Sequence, residues 1–136
     1  MSVAILDTDM LNEVFKRKNS VVIAHAADYL NTYGQFSFSA MTWFEVVRGL
    51  REKRSTRLMQ RCETLCGRSH VLPVDDQVLD RAADLWVVAR AGGYSHRDAD
   101  LIIAATALVH ARSLVTGNTS HFSWIPVLRT VDWRKV

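Results

Sequence analysis

The sequence predicts an α/β fold built on a parallel sheet with helices covering both faces. Short strand-like apolar runs alternate with helical patterns from one end to the other, which is the order that places crossover helices over parallel strands. The first such run, Val3 to Leu6, reads as a buried strand. No repeat, low-complexity tract or linker interrupts the series, so residues 1–136 are expected to form a single domain.

The elements follow in order. After the strand at 3–6, Thr8 to about Arg17 reads as a helix, and a second helix runs from about Ser20 to Tyr33, with Gly34 to stop it. The segment "QFSFS" (35–39) alternates polar and apolar residues as a strand does. Ser39 is placed to cap a third helix, in which Trp43, Val47 and Leu50 form an apolar stripe. A fourth helix covers about 55–67 with Leu58, Cys62 and Leu65 inward. "HVLPV" (70–74) reads as a strand, and Asp75 caps a helix whose inward face is Val78, Ala82, Leu85 and Ala89, ended by Gly92-Gly93. Asp98 is expected to cap the apolar helix "DADLIIAATALVHA". "SLVT" (113–116) and "VLRTV" (127–131) complete the strands.

Composition sets limits. The chain has 136 residues, 49% hydrophobic and 23% charged, which is the balance of a soluble globular protein and not of a disordered one. No apolar stretch is long enough to cross a bilayer, and the N-terminus lacks the basic-then-apolar build of a secretory signal, so a cytoplasmic address is expected. Cys62 and Cys66 share one helical face and have no matching partners for a metal, which predicts buried reduced thiols. The net charge is +3. Its distribution is uneven: Arg48, Arg51, Lys53, Arg54, Arg57 and Arg61 face Glu52 alone over that stretch, either as a surface for a polyanion or as a solvated helix face.

In a sheet of this kind, sites form beyond the carboxyl ends of the strands. Asp7 stands at one such end and Asn118 follows another. The acids that the pattern can bring together are Asp7, Asp9, Glu45, Asp98 and Asp100. Singly, each has a plain use: Asp9 and Asp98 as helix caps, Asp100 in a first turn where the helix dipole favours a carboxylate, Glu45 as an exposed acid. Gathered, they would repel one another and resist ionisation together. A divalent cation removes that penalty, and hard oxygen ligands suit Mg²⁺ or Mn²⁺. Acids, such an ion and a basic surface point to phosphodiester hydrolysis.

Four segments in sequence, "ILDTDML", "SAMTWFEVVRGL", "DADLIIAATAL" and "LVTGNTSHF", resemble those of PIN-domain ribonucleases, most of all the VapC toxins of bacterial toxin–antitoxin pairs, and the tail "IPVLRTVDW" looks like theirs. The resemblance spans essentially the whole chain. It implies a three-layer α/β/α sandwich with a central parallel sheet and an Mg²⁺ site (Mn²⁺ a substitute) held by Asp7, Glu45 and Asp100. The family's fourth acidic position falls on Asn118, a neutral oxygen donor, which implies lower metal affinity. Asp98, Asp9, Thr116 and Thr119 are secondary candidates, and Arg48, Arg51, Arg54 and Arg57 are candidates for RNA contacts. The likeness further implies a metal-dependent endoribonuclease acting on structured RNA such as tRNA, a homodimer, and silencing by a VapB-type antitoxin whose tail lies in a groove near the acids. Leu11, Val14, Phe15 and Val47 are candidates for that groove, with core packing as their competing use.

Rival readings have less support. "DTD" after a strand imitates the nucleophile pair of haloacid dehalogenase-type phosphatases, but none of Lys16, Lys18, Lys53 and Lys135 closely precedes Asp98. A receiver domain lacks its lysine after "SLVT". The histidines (His25, His70, His96, His110, His121) show no nucleophile pairing, His121 reads as a loop residue, and Trp43 and Phe44 read as core. The alternative from another class is a catalytically weak PIN-like module that binds RNA or protein, which Asn118 keeps in play.

Overall fold

Along each central strand, neighbouring side chains leave on opposite faces of one sheet, and this alternation divides the core into two halves. The computed structural model describes residues 2–136. In chain order the elements are β1 (Ala4–Leu6), α1 (Thr8–Lys16), α2 (Ser20–Tyr33), β2 (Ser37–Ser39), α3 (Ala40–Lys53), α4 (Thr56–Gly67), β3 (His70–Leu72), α5 (Asp76–Gly92), α6 (Asp98–Val109), β4 (Ser113–Val115), α7 (Thr119–Phe122) and β5 (Thr130–Val131). The described strands lie in the order β3-β2-β1-β4-β5, and every neighbouring pair is parallel.

From β1, Ala4 and Leu6 enter one half of the core and Ile5 the other; from β4, Val115 joins the first and Leu114 the second. The first half is filled by Met10, Leu11 and Phe15 of α1, Val22 and Tyr29 of α2 and Cys62 of α4. The second is filled by Val78, Ala82 and Leu85 of α5, Leu101, Ile103 and Ala105 of α6, and Phe122 of α7. Helices on both faces of a parallel sheet make the expected α/β/α sandwich. The tyrosine hydroxyl of Tyr29 reaches β1, accepting from the Ala4 N–H at 3.0 Å and donating to the Ala4 carbonyl at 3.2 Å.

Polar side chains start the helices by accepting orphan backbone N–H groups. Asn19, Ser39, Ser55 and Asp75 do so for α2, α3, α4 and α5. At the ends of α2 and α5 the chain turns left-handed at Gly34 (φ 83°) and Gly93 (φ 66°), a conformation glycine adopts without steric cost.

Several local expectations are corrected. The strand "HVLPV" stops at Leu72, before Pro73, which has no N–H for a ladder. "VLRTV" shrinks to Thr130–Val131, because Val127 is left-handed (φ 70°) and exposed. "QFSFS" forms a strand only over Ser37–Ser39. The inward stripe of α3 is Thr42, Val46 and Leu50, so Trp43 (42% exposed) and Phe44 (48%) are surface residues and not core. That rotation also carries Glu45 out of solvent. Cys62 and Cys66 are free thiols with Sγ atoms 3.6 Å apart; Cys62 is buried, and Cys66 only partly so.

Candidate active site

The strand order reverses at β1: β2 and β3 build outward on one side, and β4 and β5 on the other. Ligand sites in open parallel sheets lie beyond the strand ends at such a reversal. Asp7 is the residue after β1, tied to β4 by its N–H donating to the Val115 carbonyl at 3.0 Å. It is also the N-cap of α1, with Oδ1 accepting from the Met10 N–H at 2.8 Å. The cap of α1 is therefore Asp7 and not Asp9, because only the residue before the first helical turn can present its carboxylate to those N–H groups.

Asp7 is buried, and burial raises its carboxyl pKa from 3.8 to about 6. Hydrogen bonds from Thr116 and the Met10 N–H oppose the shift, while the charges of Asp9 and Asp100 add to it. Thr116 is itself fully buried, and its Oγ1 accepts from the Asn118 N–H at 3.0 Å.

Glu45 comes from α3 with its side chain only 8% exposed. Its Oε1 accepts from the Thr8 hydroxyl at 2.6 Å, and its Oε2 stands 3.5 Å from Arg48 Nη2 and 3.7 Å from Arg97 Nη2. Asp100 lies in the first turn of α6, where Arg97 Nε stands 3.5 Å from its Oδ2. Burial raises the Asp100 pKa, Arg97 opposes the rise, and Glu45 adds to it. Asn118, after β4, donates from its side-chain amide to Asp9 Oδ2 at 3.0 Å.

These groups share one cavity of about 270 Å³, faced by the carboxylates of Asp7, Asp9, Glu45 and Asp100 and by the guanidinium groups of Arg48 and Arg97. Thr8, Asn118 and His121 complete its polar lining. A groove of about 590 Å³ elsewhere is larger but has no acid in its wall, so the smaller cavity is the one equipped for chemistry.

Of the residues singled out in the sequence, Asp7, Glu45, Asp100, Asn118 and Asp9 meet here. Asp98 does not: it is exposed on the first turn of α6, the N-cap position belongs to Arg97, and no side chain caps that helix. Thr116 supports Asp7 from behind, and Thr119 is the first residue of α7, outside the cavity lining. Of the four candidate RNA-binding arginines, only Arg48 faces the acids. Arg51 lines a small pocket beside Trp43, Arg54 ends α3, and Arg57 lies on the large groove.

Three polar residues of the cavity, Thr8, Arg97 and His121, were not assigned to the site from the sequence. Arg97 stands three residues before Asp100, the spacing at which opposite charges pair on a helix, and that signal was available. His121, the histidine nearest the site in the sequence, sits on the short α7 and not in a loop.

Hard oxygen donors of this number suit Mg²⁺ or Mn²⁺. Among the described residues, no group of three His, Cys, Asp or Glu side chains is disposed to hold a metal ion as it stands. Asp7 Oδ1 caps a helix, Glu45 accepts from Thr8 and faces two arginines, and Asp100 faces Arg97. The donor chemistry therefore fits a divalent cation, provided the arginine contacts give way.

Comparison with known proteins places the chain in context. The PIN domain family model matches residues 4–125. The chain is 25% identical over 118 residues to Ribonuclease VapC1 of Methanocaldococcus jannaschii, covering 87% of this chain and 77% of that one. Among solved structures, VapBC-1 from nontypeable Haemophilus influenzae superposes with a TM-score of 0.80 at 26% identity, covering 97% of this chain and 98% of its own. A toxin-antitoxin complex from Klebsiella pneumoniae does so with a TM-score of 0.70 at 25% identity, covering 98% and 99%.

Proposed function

The chain belongs to the PIN-domain family, and on that premise we propose that it is the metal-dependent endoribonuclease toxin of a toxin–antitoxin pair, acting in the cytoplasm. The observation that carries the reading is the gathering of four carboxylates and two guanidinium groups around one cavity at the strand ends. The names of the similar proteins, a ribonuclease and toxin–antitoxin complexes, support the same reading.

Asp7, Glu45 and Asp100 would hold Mg²⁺ or Mn²⁺, with Asn118 and Asp9 at the rim. When bound, such an ion stabilises charge on the scissile phosphate and makes the attacking water more acidic. The chain's own contribution is position. Asp7 is fixed by a strand end and a helix start at once, so its carboxylate cannot drift. Thr8 holds one oxygen of Glu45 and leaves the other facing the cavity. Arg48, with its guanidinium 5.0 Å over the Phe44 ring, offers positive charge to an RNA phosphate beside the acids. Structured RNA such as tRNA is the proposed substrate class.

The large groove fits the antitoxin. Val14, Phe15, Ile23 and Leu30 make it apolar, and Arg17, Arg57, Arg61 and Arg68 surround it with positive charge. An acidic amphipathic segment would bury its apolar side there and pair its charges. This groove has no acid in its wall, so it is not the groove near the acids that the resemblance implies; Val14 and Phe15 line it, whereas Leu11 is fully buried and Val47 lines a different pocket. On α5 the exposed Leu79, Trp86 and Val87 support self-association into a homodimer. No helix among the described residues is long and apolar enough to cross a membrane.

One observation favours the second reading, a binding module without strong catalysis: Glu45 and Asp100 are already ion-paired with arginine. The test separates the two. Wild type and Asp7→Asn, free of any partner, are incubated with total bacterial RNA with Mg²⁺, with Mn²⁺, or with excess chelator. Discrete fragments from wild type plus metal alone are expected. Intact RNA in every arm, from folded protein that binds RNA, would leave the binding module as the better account.

A further inference from the structure

Arg97 occupies an unusual place for a surface arginine. It holds the N-cap position of α6 with an extended backbone (φ −122°, ψ 147°), where its side chain, having no acceptor, makes no capping bond. Instead the guanidinium reaches across to α3. Its Nη2 stands 3.7 Å from Glu45 Oε2 and its Nε 3.5 Å from Asp100 Oδ2, so one side chain spans two acids of the cavity from different helices. Both contacts are longer than hydrogen bonds, and the Arg97 side chain is 69% exposed. Ion pairs of that kind are weak and readily exchanged.

Arg48 does not duplicate this role. It approaches Glu45 alone, at 3.5 Å, and its guanidinium lies over Phe44. Asp100 has no arginine other than Arg97 within ion-pair distance among the described residues. Displacing Arg97 therefore removes the arginine from Asp100 and one of the two arginines from Glu45 in one movement, while Glu45 keeps Arg48.

We propose that Arg97 is a built-in competitor of the divalent cation: its guanidinium and the ion seek the same two carboxylates, Glu45 and Asp100, and loading the ion sends Arg97 to the cavity mouth, where it meets substrate phosphate. The proposal rests on the metal-site reading above. It makes Arg97 a positioning residue that sets the metal concentration at which the site loads. The charge removed when the ion enters is the charge then offered to RNA, so the two events are coupled.

The test is calorimetric titration of the full chain with Mn²⁺ alone, without RNA, on wild type, Arg97→Gln, Arg97→Lys and Arg90→Gln. Arg90 lies over Trp86, at 5.2 Å, and faces none of the acids, so it controls for loss of a surface charge. Arg97→Gln is expected to bind Mn²⁺ about three- to tenfold more tightly than wild type, the scale of two exposed ion pairs removed. Arg97→Lys, which keeps the charge but has a single donor head, should fall between them, and Arg90→Gln should match wild type. The rise in melting temperature on adding Mn²⁺ should be larger for Arg97→Gln than for wild type. Equal or weaker Mn²⁺ binding by Arg97→Gln, with wild type binding normally, overturns the proposal and leaves the metal site intact. Absence of Mn²⁺ binding by all four folded proteins overturns both.

Discussion

The Thr8 hydroxyl donates to Glu45 Oε1 at 2.6 Å, linking the first residue of α1 to the middle of α3 at the mouth of the acid cavity. Thr8 stands beside Asp7, so the segment that fixes the first acid also aims the second. Thr8→Val keeps the side-chain shape and removes the donor. The expected result is a loss of about 1.5–3 kcal/mol in stability, the range for a hydrogen bond to a charged group. RNA cleavage should fall by about tenfold, because Glu45 is then left to the arginines. Melts and initial rates measured side by side check both expectations.

Asp7 makes stability and function oppose each other. Its folded pKa, about 6, lies above the ordinary value of 3.8, so between those limits the native state holds a proton that the unfolded chain has lost. Without metal, stability should therefore fall as pH rises from about 4 to about 6, by about 3 kcal/mol in all. Asp7→Asn removes the titration while keeping an oxygen for the Met10 N–H. In chelator it should be more stable than wild type at pH 7, by about 2 kcal/mol, and show no such gain near pH 4. Denaturant melts across that range are the check, and the same variant should be inactive on RNA.

The arginines divide by location. Arg48→Ala should weaken RNA binding and reduce the salt dependence of cleavage, since Arg48 faces the acid cavity. Arg57→Ala, on the large groove, should leave cleavage unchanged and weaken capture of an acidic antitoxin segment by several-fold. Fluorescence titrations with labelled RNA and with the antitoxin peptide would distinguish the two.

Fold stability can be perturbed without touching the site. Tyr29→Phe leaves both the N–H and the carbonyl of Ala4 without their hydroxyl partner at the start of β1, at the opposite end from Asp7. The expected cost is about 1–3 kcal/mol. Cleavage per folded molecule should be unchanged, as judged by rates corrected for the folded fraction.

How far the sequence revealed this arrangement depended on the range of the forces involved. Local rules carried most of the fold. The Asn19, Ser39, Ser55 and Asp75 caps act within a few residues, and the inward face of α5 is the one its spacing predicts: Val78, Ala82, Leu85 and Ala89. The abrupt end of the apolar run Val3–Leu6 likewise placed Asp7 at a strand end. Failures came where a distant partner decides. The rotation of α3 that hides Glu45 and exposes Trp43 is set by packing against α1 and α6, which no local pattern reports. Asp9 has its carboxylate beside Asn118, more than a hundred residues away in sequence. The arginine run from 48 to 57 looked like one surface but is distributed over separate pockets, because α3 ends between its members.

On the proposed reading, Asp7, Glu45 and Asp100 would bind one divalent cation together. Anomalous diffraction from crystals of the full chain soaked in Mn²⁺ tests it most directly. A single strong peak within coordination distance of all three carboxylates is expected, with Arg97 moved off Glu45 and Asp100. A well-ordered site without a peak, or a peak held by other residues while Arg97 still bridges the two acids, would contradict it.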